Sequence, residues 1–411
     1  MLFKELPLNT PLQKAIAEAN YKEATPVQEQ TIPLALARKD VIASAQTGTG
    51  KTAAFALPIL QMLFDKQDTA KKNRKVRALV ISPTRELAVQ IQENFRTYGN
   101  YTNLRTCVIF GGTSMEPQID QLTKGVDIVI ATPGRLLDLH KRDLLNLDYV
   151  EHFVIDEADL LLDMGFIDEV QKIERLCPDE KQILLFSATM PFKVVQMAKT
   201  ILKDPERVEV AAPSSAADGV KQLLYYVPKA KKVELCLHLL RNTIQGNILI
   251  FRRTKNGVDK LEQTLLKNHY LVDSIHGDKN QSGRQHALNR FKNGAVSILI
   301  ATDVASRGID IEKLDAVVNF DVPNIPETYV HRIGRTARAG KEGVSYTFCG
   351  ADEKEYIVSI QKLIKNSIPV EAEHPYLLDP KEKPQVHKKK GSKHKKGRKS
   401  VASKKNKKRW Y

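Results

Sequence analysis

Short apolar runs rich in Val and Ile recur along the chain and break off at turn or polar clusters. They read VRALVISPT, DIVIATPG, HFVIDEAD and QILLFSATM in the first half, then NILIFRRT, VSILIATD and AVVNFDVP in the second. None alternates cleanly between apolar and polar, so each predicts a strand buried on both faces, as in a parallel sheet. Between the runs the spacing turns helical: in RELAVQIQENFRTYG, Leu87, Ile91 and Phe95 recur every four residues. Alternating strands and helices predict an α/β fold whose functional edge lies at the strand ends. The stretch AAPSSAADG holds only small, polar or turn-forming residues, and it predicts a linker at 211–219 between domains at 1–210 and 220–372. DIVIATPG and SILIATDV both set an apolar strand before Ala-Thr, a weak hint that the halves share one plan. Residues 373–411 predict a basic, low-complexity tail without the apolar residues a core requires.

Length and charge sharpen this division. A chain of 411 residues is too long for one ordinary core and suits two domains with a remainder. The net charge is +16, but residues 381–411 contribute +14 of it, which leaves the other 380 residues at +2. The pattern is a nearly neutral body with a cationic tail. Four widely spaced cysteines, Cys107, Cys177, Cys236 and Cys349, match neither a CxxC metal pattern nor a disulfide framework. They predict a reducing, cytoplasmic setting. No apolar run approaches the roughly 18 residues that span a bilayer, so no membrane role is expected.

Two clusters carry the chemistry. AQTGTGKT, residues 45–52, follows the apolar DVIASA and precedes AAFALPIL, which is the strand, loop and helix context of a phosphate-binding loop. Gln46, Thr47, Gly48, Thr49 and Gly50 would bring backbone N–H groups to phosphate oxygens. Lys51 would reach the β- and γ-phosphates, and Thr52 would offer its hydroxyl to Mg²⁺. Ala45 stands where the strict pattern has Gly. The second cluster is the run Asp156, Glu157 and Asp159 at the end of HFVI. Crowded carboxylates there repel one another unless a cation is bound. Asp156 is placed to face Mg²⁺, and Glu157 to orient an attacking water. A solvated helix N-terminus would account for the acidic run alone, but not for its pairing with the loop.

Asp156-Glu157-Ala158-Asp159 spells DEAD, and AQTGTGKT, PTRELA, TPGR, SAT, ATDVASRGID and HRIGRTAR occur with it in fixed order. Across residues 1–350 the chain resembles the DEAD-box ATP-dependent RNA helicases, and its layout is similar to the bacterial RhlE-like subgroup. The resemblance implies two tandem RecA-like domains with parallel sheets, a P-loop NTPase of helicase superfamily 2. ATP and Mg²⁺ would lie between the domains and RNA across both. NYKEATPVQ resembles the Q motif, which implies that Gln28 reads the adenine edge and that Phe3 and Tyr21 pack near the base; Asn20 and Ala24 depart from its usual Gly and Pro. In YVHRIGRTARAG, Arg332, Arg335 and Arg338 are spaced by three and would share a helix face. The resemblance marks Arg335 and Arg338 as arginine fingers and His331 as a coupling residue, with Ala337 at a position that is usually Gly. It also puts Gly308 and Asp310 at the ribose, and Ser187 and Thr189 of SAT in contact with Asp159.

For RNA, the resemblance implies that Arg85, Gly111, Gly112, Thr132, Gly134 and Arg135 grip the backbone from the first domain, and Thr254, Arg284 and Thr302 from the second. Exposed N–H groups, hydroxyls and arginines hold phosphate without reading bases, so little sequence preference is expected. The implied activity is RNA-stimulated ATP hydrolysis coupled to domain closure that unwinds short duplexes or remodels RNA–protein complexes. An ATP-dependent RNA clamp is the alternative. Ribosomal or RNA-decay proteins are the protein partners that would suit either. The tail, ending in Trp410 and Tyr411, would serve as an RNA anchor or as a solubilising segment.

Overall fold

Runs such as IVIA and ILIF form strands because every side chain in them has a core to enter. In the first half the strands are β1 (Val41–Ser44), β2 (Ala78–Ile81), β3 (Thr106–Ile109), β4 (Ile128–Ala131), β5 (His152–Ile155), β6 (Gln182–Ser187) and β7 (Glu206–Glu209). The second half adds β8 (Val220–Tyr226), β9 (Ile248–Phe251), β10 (Val272–Ile275), β11 (Ile298–Ala301), β12 (Ala316–Asn319) and β13 (Gly343–Cys349). The computed structural model describes residues 1–45, 48–66, 74–210, 220–306, 314–336 and 343–379. The expected linker at 211–219 lies outside them, as does the chain from 380 onward.

Two sheets result, ordered β3-β4-β2-β5-β6-β1-β7 and β10-β11-β9-β12-β13-β8, with every strand pair parallel. Residues along a strand alternate between the cores on its two faces. Ile128 and Ile130 of β4 enter one cluster, and Val129 and Ala131 the other. Likewise Ile248 and Ile250 of β9 face one cluster, and Leu249 and Phe251 its opposite. This double burial is why the sequence shows apolar runs rather than alternation.

The first six strands of each half follow one spatial order. DIVIATPG and SILIATDV supply β4 and β11, which occupy the same place in their sheets, second from the edge. The sheets differ outside β1 and β8. In the first domain β7 covers β1. In the second, residues 368–378 run beside β8: Leu224 bridges Val370, and the N–H of Leu378 donates to the Tyr226 carbonyl at 3.1 Å. His374 and Leu378 are buried, and the His374 ring lies 5.6 Å from that of Tyr225.

Residues 373–379, assigned by composition to the tail, therefore belong to the packed second domain. They also cover a strand edge that would otherwise present open hydrogen-bonding groups. Ending the chain after 372 removes the burial of Leu378, worth about 1.5–3 kcal/mol, and the expected cost is a fall of about 5 °C in the unfolding midpoint. A chain ending after 379 should melt like the full-length protein. Differential scanning fluorimetry of the two truncations checks this.

Candidate functional site: a two-domain nucleotide and RNA cleft

The phosphate loop, the acidic run and SAT meet because β6 lies between β5 and β1. All three segments leave the same end of the sheet, and the Ala45 N–H donates to the Ser187 carbonyl at 3.0 Å. Gly48 and Gly50 take φ of 87° and 89°, where only glycine is unstrained. The loop then opens the helix Lys51–Asp65, whose N-terminal N–H groups and dipole favour an anion. Gln46 and Thr47 lie outside the described residues; Thr49 and Thr52 are half-buried.

Lys51 is 5% exposed, and its Nζ donates to Glu157 Oε1 at 2.9 Å. Burial pulls the ammonium down, but Glu157 and Asp156 outweigh it, so its pKa lies above the usual lysine value. Burial pushes the Glu157 carboxyl up, and Lys51, then His331 and Arg335, bring it below its ordinary value. Asp156, 2% exposed, is pushed up to about 7 by burial and then by Glu157, against the pull of Lys51. A carboxyl group in that position is one that a divalent cation would return to its ionised form. Among the described residues no three His, Cys, Asp or Glu side chains form a protein-only metal cage. Mg²⁺ needs none, since it takes one or two carboxylates together with phosphate oxygens and water. Asp156 with the Thr52 hydroxyl fits that donor set.

Gln28 sits at the third position of the helix Pro26–Leu36. Its Oε1 accepts from the Thr25 N–H at 2.9 Å, and its Nε2 donates to the Gly50 carbonyl at 3.1 Å. One donor hydrogen and one lone pair of the amide are thus committed to bracing the loop, and the others are left for a ligand. A Cβ on Gly50 would stand 2.2 Å from Gln28 Nε2, so the brace depends on glycine there. Phe3 differs from expectation. At 2% exposure it belongs to the core, with its ring 5.9 Å from Tyr21, and it has almost no surface to offer a base. Tyr21, 43% exposed, presents the open ring, with Tyr98 behind it at 6.0 Å.

Asp159 is tied to SAT through both hydroxyls, though only that of Thr189 reaches its carboxylate. Thr189 donates its N–H and its hydroxyl to Asp159 Oδ2, each at 2.9 Å. Ser187 instead accepts the Asp159 N–H at 3.1 Å and donates to the Thr189 carbonyl at 2.6 Å. Across from them Thr328, His331 and Arg335 of the second half line a cavity of about 470 Å³ together with Glu157, Asp159 and Thr189.

Of the arginines of HRIGRTAR, the two within the described residues, Arg332 and Arg335, do not share a helix face. The helix Pro326–Ile333 ends at Gly334, and Arg335 follows in a turn whose N–H returns to the Arg332 carbonyl. Arg332 is a structural residue: Nε and Nη2 grip both oxygens of Asp303 at 2.6 and 2.8 Å, while Nη1 donates to Asn319 and to the Asp321 carbonyl. Arg335, freed from the helix, is buried against the acidic run. Ala337, Arg338, Gly308 and Asp310 lie outside the described residues.

The RNA candidates gather at helix N-termini along the same sheet edges. Thr84 and Thr254 cap the helices Arg85–Tyr98 and Lys255–Lys267, accepting from the N–H groups of Leu87 and Gly257. Thr132 is the capping residue of Pro133–Lys141, and Thr302 lies between the end of β11 and Asp303–Ser306. A Cβ on Gly111 or Gly134 would meet open space, whereas one on Gly112 (φ 75°) would stand 2.3 Å from Arg85 Nη2. Arg135 Nη2 donates to the Thr113 carbonyl at 3.1 Å. Arg284 Nη2 makes a 3.0 Å ion pair with Glu86. Glu86 stands next to Arg85 within PTRELA but is not among the site residues the sequence predicts.

Residues 25–198 match the family described as DEAD/DEAH box helicase, and residues 231–340 the helicase conserved C-terminal domain. The chain is 43% identical over 365 residues to the ATP-dependent RNA helicase CshA of Limosilactobacillus reuteri, covering 89% of this chain and 72% of the relative. It is also 43% identical over 366 residues to the DEAD-box ATP-dependent RNA helicase CshA of Bacillus subtilis (strain 168), covering 89% and 73%. The RhlE-like layout expected from sequence is not confirmed by these relatives. Among solved structures, S. cerevisiae Dbp5 bound to RNA and ADP BeF3 is 31% identical with a TM-score of 0.81, covering 90% of this chain and 95% of that one. A DEAD box protein from the hyperthermophile Methanococcus jannaschii is more identical, 37%, yet its TM-score is 0.51 over 90% and 99% of the two chains. The likeness to the RNA-bound form therefore includes the arrangement of the two domains.

Proposed function

Because the chain belongs to the DEAD-box ATP-dependent RNA helicases, we propose that its turnover of ATP runs through Lys51, Glu157 and Arg335 and that closure of the two domains on RNA completes this set. The protein is an ATPase and an RNA helicase. The residue roles are argued from one observation above the others: Glu157, which already holds Lys51 at 2.9 Å, also feels His331 and Arg335 of the other domain.

The Lys51–Glu157 pair is the resting arrangement. An incoming γ-phosphate competes for the ammonium, and Glu157, released, turns to hold the attacking water. A carboxylate kept below its ordinary pKa is a weak base, so Glu157 orients that water rather than removing its proton outright. Arg335 neutralises charge that develops on the transferring phosphoryl oxygens, and its placement on the second domain makes hydrolysis depend on closure. Asp156 and Thr52 would hold Mg²⁺, which when bound neutralises phosphate charge. Gln28 uses its remaining amide groups on adenine, with Tyr21 against the base. Gly308 and Asp310 at the ribose and Arg338 as a second finger complete the proposal. Asp159, Ser187, Thr189 and His331 transmit the state of this site to the interface.

RNA lies across Arg85, Gly111, Gly112, Thr132, Gly134 and Arg135 on one side and Thr254, Arg284 and Thr302 on the other. ATP and RNA each touch both domains, so each favours closure and raises the affinity of the other. Closure bends one strand and opens a few base pairs. Ribosomal or RNA-decay proteins are the partners this reading accommodates, and the cytoplasm suits four buried free thiols. Among the described residues no helix is long and apolar enough to cross a membrane.

The test is the ATPase rate with RNA, with DNA and with neither, run beside displacement of a short RNA duplex. Stimulation by RNA alone, with displacement, is the expected result. RNA held in the presence of an ATP analogue without displacement would establish the clamp instead, and equal stimulation by DNA would remove the RNA-specific reading of the cleft.

A further inference from the structure

We propose that Glu86 is a positioning residue that latches the second domain onto the first by holding Arg284, so that the arginine site for the RNA backbone is assembled only in the closed arrangement. The inference deepens the function proposed above and rests on its reading that RNA crosses both domains.

Arg284 lies in the first turn of the helix Gln281–Lys292 on the second domain, and Glu86 in the first turn of Arg85–Tyr98 on the first. Their side chains are 13% and 3% exposed at 3.0 Å, so this pair is sheltered from solvent, unlike the surface pairs elsewhere on the chain. A sheltered pair responds strongly to loss of one partner. The same spot gathers positive charge. The guanidinium of Arg85 is held below its ordinary pKa by burial and by Arg284 and Arg135, with Glu86 opposing the shift. Among the described residues, Arg284 Nε and Arg135 Nη1 are buried N–H groups without a hydrogen-bond partner.

Three mutually repelling arginines from two domains do not converge without compensation. Glu86 supplies part of it, and the two unpartnered N–H groups are suited to a phosphate that supplies the rest. Glu86 also keeps a favourable place when the domains separate, because a carboxylate in the first turn of a helix is stabilised by its dipole. The latch can therefore open without stranding a charge. It adds no contact to nucleotide or RNA; it acts through Arg284.

The experiment measures RNA affinity with and without a non-hydrolysable ATP analogue and takes the ratio as the coupling between the two ligands. In the Glu86→Gln protein the ratio is expected to fall by about tenfold. Affinity for RNA without nucleotide and the RNA-free ATPase rate should stay within twofold of wild type. In a background of Arg284→Gln, adding Glu86→Gln should change nothing further. An unchanged ratio in Glu86→Gln, or effects of the two substitutions that multiply independently, overturns the latch. A wild-type protein that shows no coupling at all overturns instead the cycle on which the latch rests.

Discussion

The Glu157→Gln protein will bind ATP and RNA yet turn over ATP about 10²–10⁴-fold more slowly than wild type, the range expected for losing a positioned general base or water-orienting group. The substitution keeps the shape of the side chain, and the new carbonyl oxygen can still accept from Lys51, which in the native protein donates to Glu157 Oε1 at 2.9 Å. It also keeps whatever strain residue 157 bears at φ 50°, a left-handed conformation that costs about 1–2 kcal/mol for any residue with a Cβ. What disappears is the negative charge between Lys51 and Arg335. With hydrolysis blocked and the ligands retained, the closed complex should accumulate, and RNA should leave it more slowly when ATP is present. Turnover within a few-fold of wild type would show that the water is held by some other group.

Replacing Arg335 by Ala has the larger expected effect, about 10³–10⁵-fold on the RNA-stimulated rate, the usual contribution of an arginine finger. Because Arg335 reaches the acidic run only from the second domain, the rate without RNA should barely change. The RNA stimulation collapses while the basal rate survives. Arg335→Lys should remain severely impaired, since an ammonium restores the charge but not the planar fork of donors. A Lys protein near wild-type activity would mean that Arg335 acts through charge alone, and a basal rate that falls as far as the stimulated one would mean that it does not report closure.

In both domains the strands legible in the sequence are chiefly those with every residue buried, such as IVIA and QILLFS. Those that were missed had reasons to be. In β7, ERVE, only Val208 is buried, because the strand closes the sheet edge. In β10, VDSI, buried Ser274 and half-buried Asp273 give the run a polar look that only the folded neighbours explain. The site divides in the same way. Lys51, Asp156, Glu157 and the SAT contact with Asp159 stand where the motifs put them, because each motif sits on a loop whose place follows from its strand. Three features depended on tertiary packing: Arg335 leaving its helix after Gly334, Phe3 sinking into the core behind Tyr21, and Glu86 meeting Arg284 nearly 200 residues away. No local pattern encodes a partner in the other domain.

The strand order has a consequence for how the chain comes into being on the ribosome. β1 carries the phosphate loop near the start of the chain, but its two neighbours are β6 and β7, so that Val41 is matched to Leu184 and Glu206. At about 5–20 residues per second, the nascent loop waits on the order of 10–30 s for the strands that will hold it. During that interval the AQTGTGKT segment exists without a pocket. Nucleotide cannot template the first domain early; it can only greet a domain already closed by its last strand, and a chain halted after the DEAD run would display the helicase signature and have nothing to bind.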